Sequence, residues 1–133
     1  MTTNGMQTVT VLGREYPISL PDFDKREDLA LSWHGAAGAA DGAALRRIAA
    51  AALGLCTPIG KRAGVSWEAC GCNVLAYGGK VYSWLREQKA TIPEIVEQGG
   101  KAVSACADSV FPREAEVETR SGFSAATGGD STS

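Results

Sequence analysis

Between Asp41 and Thr57 the chain carries a helical stripe built largely from small residues, and no other segment restricts the fold so tightly. Leu45, Ile48, Ala49, Ala52, Leu53 and Cys56 recur at offsets of 3, 4, 7, 8 and 11, which places them on one face of a helix. Asp41 stands where a side chain caps the first turn, and Thr57-Pro58 stops the helix. Alanine holds neighbouring helices apart very little, so the expected core is a set of slender helices in close contact.

The flanking segments supply those neighbours. Residues 6–20 read as a β-hairpin, with Val9 and Val11 alternating against threonines and Tyr16, Ile18 and Leu20 alternating after Gly13-Arg14. A two-residue loop at Gly13-Arg14 would pair Val11 with Tyr16 and Val9 with Ile18. It would also put Pro17, which has no N–H, at a position that donates in the ladder, so a longer loop or a bulge is expected. An isolated hairpin is marginal, and its apolar face needs helices beneath it. A helix over about 24–37 follows, with Asp24 and Glu27 spaced as a capping box and Leu29, Ala30, Trp33 and Ala37 at helical spacing. After the 41–56 helix, residues 57–65 read as a loop. Trp67, Cys70, Val74, Tyr77, Val81 and Trp84 then form a seam over about 66–88, weakened by Gly71, Gly78 and Gly79 and open to a break near the last two. Thr91 and Glu94 bracket Pro93 as a capping box for a final helix over 91–110, with Ile92, Ile95, Val96, Val103, Cys106 and Val110 on its buried face.

The fold class predicted is therefore α+β and predominantly helical, with an N-terminal hairpin packed on four or five helices. A length of 133 residues suits one domain, placed at 6–112 between a flexible 1–5 and a flexible tail over 113–133. The tail assignment rests on composition. Arg113 to Arg120 alternates in charge, and Ser121 to Ser133 is glycine, serine, threonine and alanine around the single aromatic Phe123, too little to offset the entropy of ordering.

Charge and hydropathy exclude several classes. A net charge of −2, with Arg46-Arg47 and Lys61-Arg62 as the basic pairs and no aromatics interleaved, argues against nucleic acid. No apolar run is long enough to cross a membrane, and the first residues have neither a basic start nor an apolar stretch of the secretory kind. The four cysteines are accordingly expected as thiols in a reducing cytoplasm.

Candidate chemistry is sparse. Cys70-Gly71-Cys72 has one intervening residue, whereas structural zinc and redox motifs use at least two, and no matching second pair stands elsewhere. Cys56, Cys70 and Cys106 fall on apolar stripes, where a thiol packs as a small hydrophobe. His34 is the single histidine, and no G-x-S-x-G elbow surrounds a serine with which it might act. Gly54, Gly60 and Lys61 miss the phosphate-binding pattern, since the glycine spacing is one residue too long and Arg62 stands where Ser or Thr is required. No catalytic residue, metal ligand or cofactor is assigned. Trp67 and Trp84 lie on the seam and are expected in the core. Trp33 precedes a stretch of glycine and alanine that leaves it partly exposed, and with Ala37 one turn on it forms the candidate site for a partner helix.

Three segments carry a resemblance. Val11-Leu12-Gly13-Arg14-Glu15-Tyr16-Pro17-Ile18, Val74-Leu75-Ala76-Tyr77-Gly78-Gly79, and Phe111 to Glu118 with Gly122-Phe123-Ser124 resemble small tail-region proteins of tailed bacteriophages, particularly tail assembly chaperones. The likeness spans most of the chain and is one of texture, without a diagnostic motif. It implies a non-enzymatic helical protein in the host cytoplasm that binds a phage structural protein, the tape-measure or tail-tube protein, as a monomer or a homo-oligomer. The N-terminal hairpin departs from that pattern and suits the alternative, a minor virion protein such as a tail-completion or head–tail connector component.

Overall fold

A computed structural model describes residues 7–111, so the segments expected to be flexible at 1–5 and 113–133 lie outside the described residues. The order is β1 (Thr8–Val11), β2 (Arg14–Pro17), α1 (Phe23–Gly38), α2 (Gly42–Cys56), α3 (Ile59–Ala63), one 3-10 turn (Glu68–Cys70), α4 (Val74–Glu87) and α5 (Ile92–Val110). The α+β, mostly helical reading holds.

Helix α2 runs through the centre, with α1, α4 and α5 packed around it. The expected stripe is an understatement, because every residue from Ile48 to Gly54 is buried, Ala50 and Ala51 included. Four consecutive alanines (Ala49 to Ala52) present so little bulk that neighbours close in from all sides. Two glycines make the closest approaches. A β-carbon at Gly78 on α4 would overlap the Arg47 carbonyl, and one at Gly99 on α5 would overlap the Ala49 carbonyl and its methyl. Gly78 thus seats α4 on α2 instead of weakening it, and α4 is continuous there.

The 66–88 helix is corrected. Its break lies earlier, at Gly71 and Cys72, which both adopt left-handed backbone (φ 72° and 53°). Asn73 then caps α4, its side chain accepting the Ala76 N–H at 2.9 Å. The 57–65 loop is also corrected, since it contains α3. Pro58 (φ −68°) precedes that helix, Thr57 Oγ1 accepts the Ile59 N–H at 3.1 Å, and left-handed Gly64 closes it. The α1 cap is Asp22, not Asp24: its carboxylate accepts the Lys25 N–H at 3.1 Å. That hydrogen bond, with the Lys25 ammonium also 3.1 Å away, holds the Asp22 carboxyl below its usual range.

The hairpin turns at Leu12-Gly13, both with positive φ (56° and 74°), one residue before the expected loop. Val11 pairs with Arg14, Val9 with Tyr16 and Thr8 with Pro17. Hydrogen-bonded pairs alternate with non-bonded ones, and Ile18 N–H donates to the Gln7 carbonyl at 2.8 Å. Pro17 therefore occupies a non-bonded position, and neither a bulge nor a longer loop is needed. Two outward N–H groups of the hairpin go to α5: Thr10 of β1 donates to Gln98 Oε1 at 2.9 Å, and Leu12 in the turn donates to Glu94 Oε2 at 2.8 Å. Helix α5 thereby covers an edge that would otherwise present free donors. Val9, Val11 and Tyr16 enter the core from the same hairpin.

Candidate interaction groove

Helices α1 and α5 lie against one another, and each carries a row of residues along their shared seam. On α1, Ala30, Trp33, His34 and Ala37 follow the spacing i, i+3, i+4, i+7, with Leu31 alongside. On α5, Val103, Ala107 and Phe111 are spaced by four. Both rows, with Ser104, line one groove of about 550 Å³. Its small residues, Ala30, Ala37 and Ala107, keep it open, and Leu31 and Phe111 stand at its edges about half exposed, at 53% and 48%. The serine hydroxyl and the imidazole are the polar side chains of this lining.

Trp33 is half-buried. A β-carbon at Gly100 would lie 3.7 Å from its six-membered ring, so the indole rests over the α5 backbone where that glycine leaves room. Ala37 is exposed. The two residues singled out from the sequence thus share one groove. Val103 is buried and Phe111 ends α5, as the sequence implies, but both also border this groove. The four-residue spacing of Val103, Ala107 and Phe111 was the available signal.

The remaining candidates separate. His34 is exposed at the groove, whereas Cys56 is buried beside Cys106, their sulfurs 3.7 Å apart. Cys70 is only half-buried, against expectation, and Cys72 is exposed. Among the described residues no group of three or more His, Cys, Asp or Glu is placed to hold a metal. Gly54 and Gly60 have a packing role: a β-carbon at Gly54 would lie 2.7 Å from the Tyr77 hydroxyl, and one at Gly60 would overlap it. Trp67 and Trp84 are half-buried at the rim of the core. Trp67 meets Tyr77 edge-on with ring centroids 5.6 Å apart, and Trp84 lies under the Arg62 guanidinium at 5.7 Å. Trp67 precedes the break at Gly71 and Cys72 and so leaves the register of α4, whereas Trp84 stays on α4 near its C-terminal end.

The cleft lined by Asp22, Asp24, Lys25, Glu27, Asp28, Trp67 and Cys72 is strongly polar by comparison. The lining of the α1–α5 groove suits an apolar guest. No family model, curated protein or solved structure matches this chain. No described helix is long and apolar enough to cross a membrane.

Proposed function

We propose that the protein acts by binding, not by catalysis, and that the α1–α5 groove holds an amphipathic helix of a partner protein. One observation carries this: Trp33 and Ala37 of α1 and Ala107 of α5 line one groove whose floor is buried Ala30 and Val103, and half-exposed Leu31 and Phe111 flank it. Such a groove receives the apolar ridge of a helix, with an aromatic side chain as anchor. The resemblance to tail assembly chaperones supplies the partner, a phage tail structural protein, with the tape-measure protein as first choice. In this reading the protein works in the host cytoplasm, shielding apolar helix faces until the tail tube assembles around them.

Co-expression with the tape-measure protein, with a photo-crosslinking amino acid at position 37, tests the proposal. The expected product joins the groove to a helical segment of the tape-measure protein, and mass spectrometry of purified particles finds the protein absent. A crosslink at position 37 no more frequent than one at exposed Glu87 contradicts the groove. Stoichiometric retention in the particle contradicts the chaperone role and favours the minor virion component.

A further inference from the structure

Cys56 is the last residue of α2 and Cys106 lies near the end of α5, fifty positions further along the chain. Both side chains are fully buried, and their sulfurs stand 3.7 Å apart across the α2–α5 contact. Packing alone accounts for two small apolar side chains in contact. It does not require that the two buried cysteines of the described chain face each other. We propose that Cys56 and Cys106 form a reversible disulfide site, closed by a hydroperoxide and opened by thiols, independent of the groove and its partner.

The surroundings differentiate the two sulfurs. The contact with Cys56 favours the thiolate of Cys106 against the opposing effect of burial, and the Arg26 guanidinium adds a smaller coulombic preference. The same contact and burial hold Cys56 as the thiol. Arg26 is fixed by its hydrogen bond to Ser109 Oγ at 2.9 Å, and that hydroxyl donates to the Cys106 carbonyl at 2.7 Å. Cys106 is therefore the nucleophile. Its thiolate attacks one oxygen of hydrogen peroxide, the O–O bond breaks, and hydroxide leaves and takes up a proton as water. The Cys56 sulfur then attacks the sulfenic sulfur of Cys106, and the departing hydroxide takes up the Cys56 proton as a second water. Two thiols and one peroxide become one disulfide and two waters.

Geometry permits closure. The sulfurs must come from 3.7 Å to about 2.05 Å. Cys56 is the last residue of α2, Thr57 continues as extended backbone, and the Cys56 carbonyl accepts the Ser19 N–H at 2.8 Å, so closure is a movement of the side chains. A cleft lined by Ser19, Gly54, Cys56, Thr57 and Tyr77 lies on the Cys56 side of the pair.

The test uses the full chain with Cys70→Ser and Cys72→Ser, so that the buried pair alone remains, with circular dichroism to verify folding. After hydrogen peroxide at a temperature well below melting, non-reducing peptide mapping should find Cys56 linked to Cys106, with a mass loss of about 2 Da reversed by dithiothreitol. Because the link closes a long loop, the oxidised form should melt at least about 5 °C higher. With Cys56→Ala added, dimedone should trap a sulfenic acid on Cys106. Free thiols under conditions that consume Cys72 of the unsubstituted chain would overturn the proposal. So would sulfinic acid on Cys106 without a link, or a linked form that melts lower.

Discussion

At the residue scale the sharpest constraints are glycines, and they act through what lies opposite them. Gly78 and Gly99 face carbonyl oxygens of α2, which cannot rotate away as a side-chain tip would. Gly78→Ala or Gly99→Ala should each cost about 1–3 kcal/mol, read as a lowered denaturant midpoint. Gly35 lies within α1 and has open space where its β-carbon would go, so Gly35→Ala should instead add about 0.5–1 kcal/mol. An equal cost at all three positions would mean that helix propensity, not close approach, governs them. Tyr77 gives a second reading at this scale. Burial, followed by the nearby Cys70 and Cys56, pushes its hydroxyl from 10.0 up to about 12. The folded-state value stands above the unfolded one, so the contribution of Tyr77 is intact below about pH 10 and is lost as pH rises towards 12. Chemical denaturation at successive pH values should show that loss, and Tyr77→Phe should remove its share. Tyrosine fluorescence of the folded chain should report ionisation later than in the unfolded one.

At the element scale the hairpin and α5 depend on each other through two side chains. Thr91 accepts the Glu94 N–H at 3.2 Å, as a capping residue should, but the Glu94 carboxylate leaves the helix and accepts from Leu12 at the hairpin turn. Glu94→Ala should therefore cost about 1–3 kcal/mol and speed hydrogen exchange at the Leu12 amide. Thr91→Ala should cost about 1 kcal/mol and leave that amide protected. Exchange at Leu12 unchanged by Glu94→Ala would show that the turn stands without α5. The elements themselves were largely legible. Helices α2 and α5 announce themselves by apolar spacing and a capping residue, Asp41 or Thr91. Legibility failed where a local rule had two solutions. Asp22 and Asp24 are both good caps, and it is Asp22 that accepts the Lys25 N–H. Leu12 takes a left-handed conformation that a leucine seldom adopts, so the sequence alone places the turn one residue later, at Gly13. Cys72 likewise takes positive φ without being glycine, which hid the break before α4. Helix α3 has five residues, too few for a period to show.

At the scale of the whole molecule, an alanine-rich central helix brings α1, α4 and α5 into close contact, and α1 and α5 each contribute a row of side chains to the groove between them. Half of the candidate site was readable, because Trp33 and Ala37 share one helix and one periodicity. The other half was not, since nothing in a linear pattern says that Val103, Ala107 and Phe111 face α1. The central claim is that this groove captures a partner helix, and a paired substitution tests it most directly. Trp33→Ala and Trp84→Ala each remove a half-buried indole, but only Trp33 lines the groove. Both variants are taken through a denaturant melt and a binding titration with the tape-measure protein, and folded fractions are compared. Trp33→Ala should weaken binding by about 2 kcal/mol or more, roughly a 30-fold rise in Kd, with cooperative unfolding retained. Trp84→Ala should lower stability and leave Kd within about twofold. Binding by folded Trp33→Ala as tight as that of the unsubstituted protein, or an equal loss in Trp84→Ala, would contradict the account.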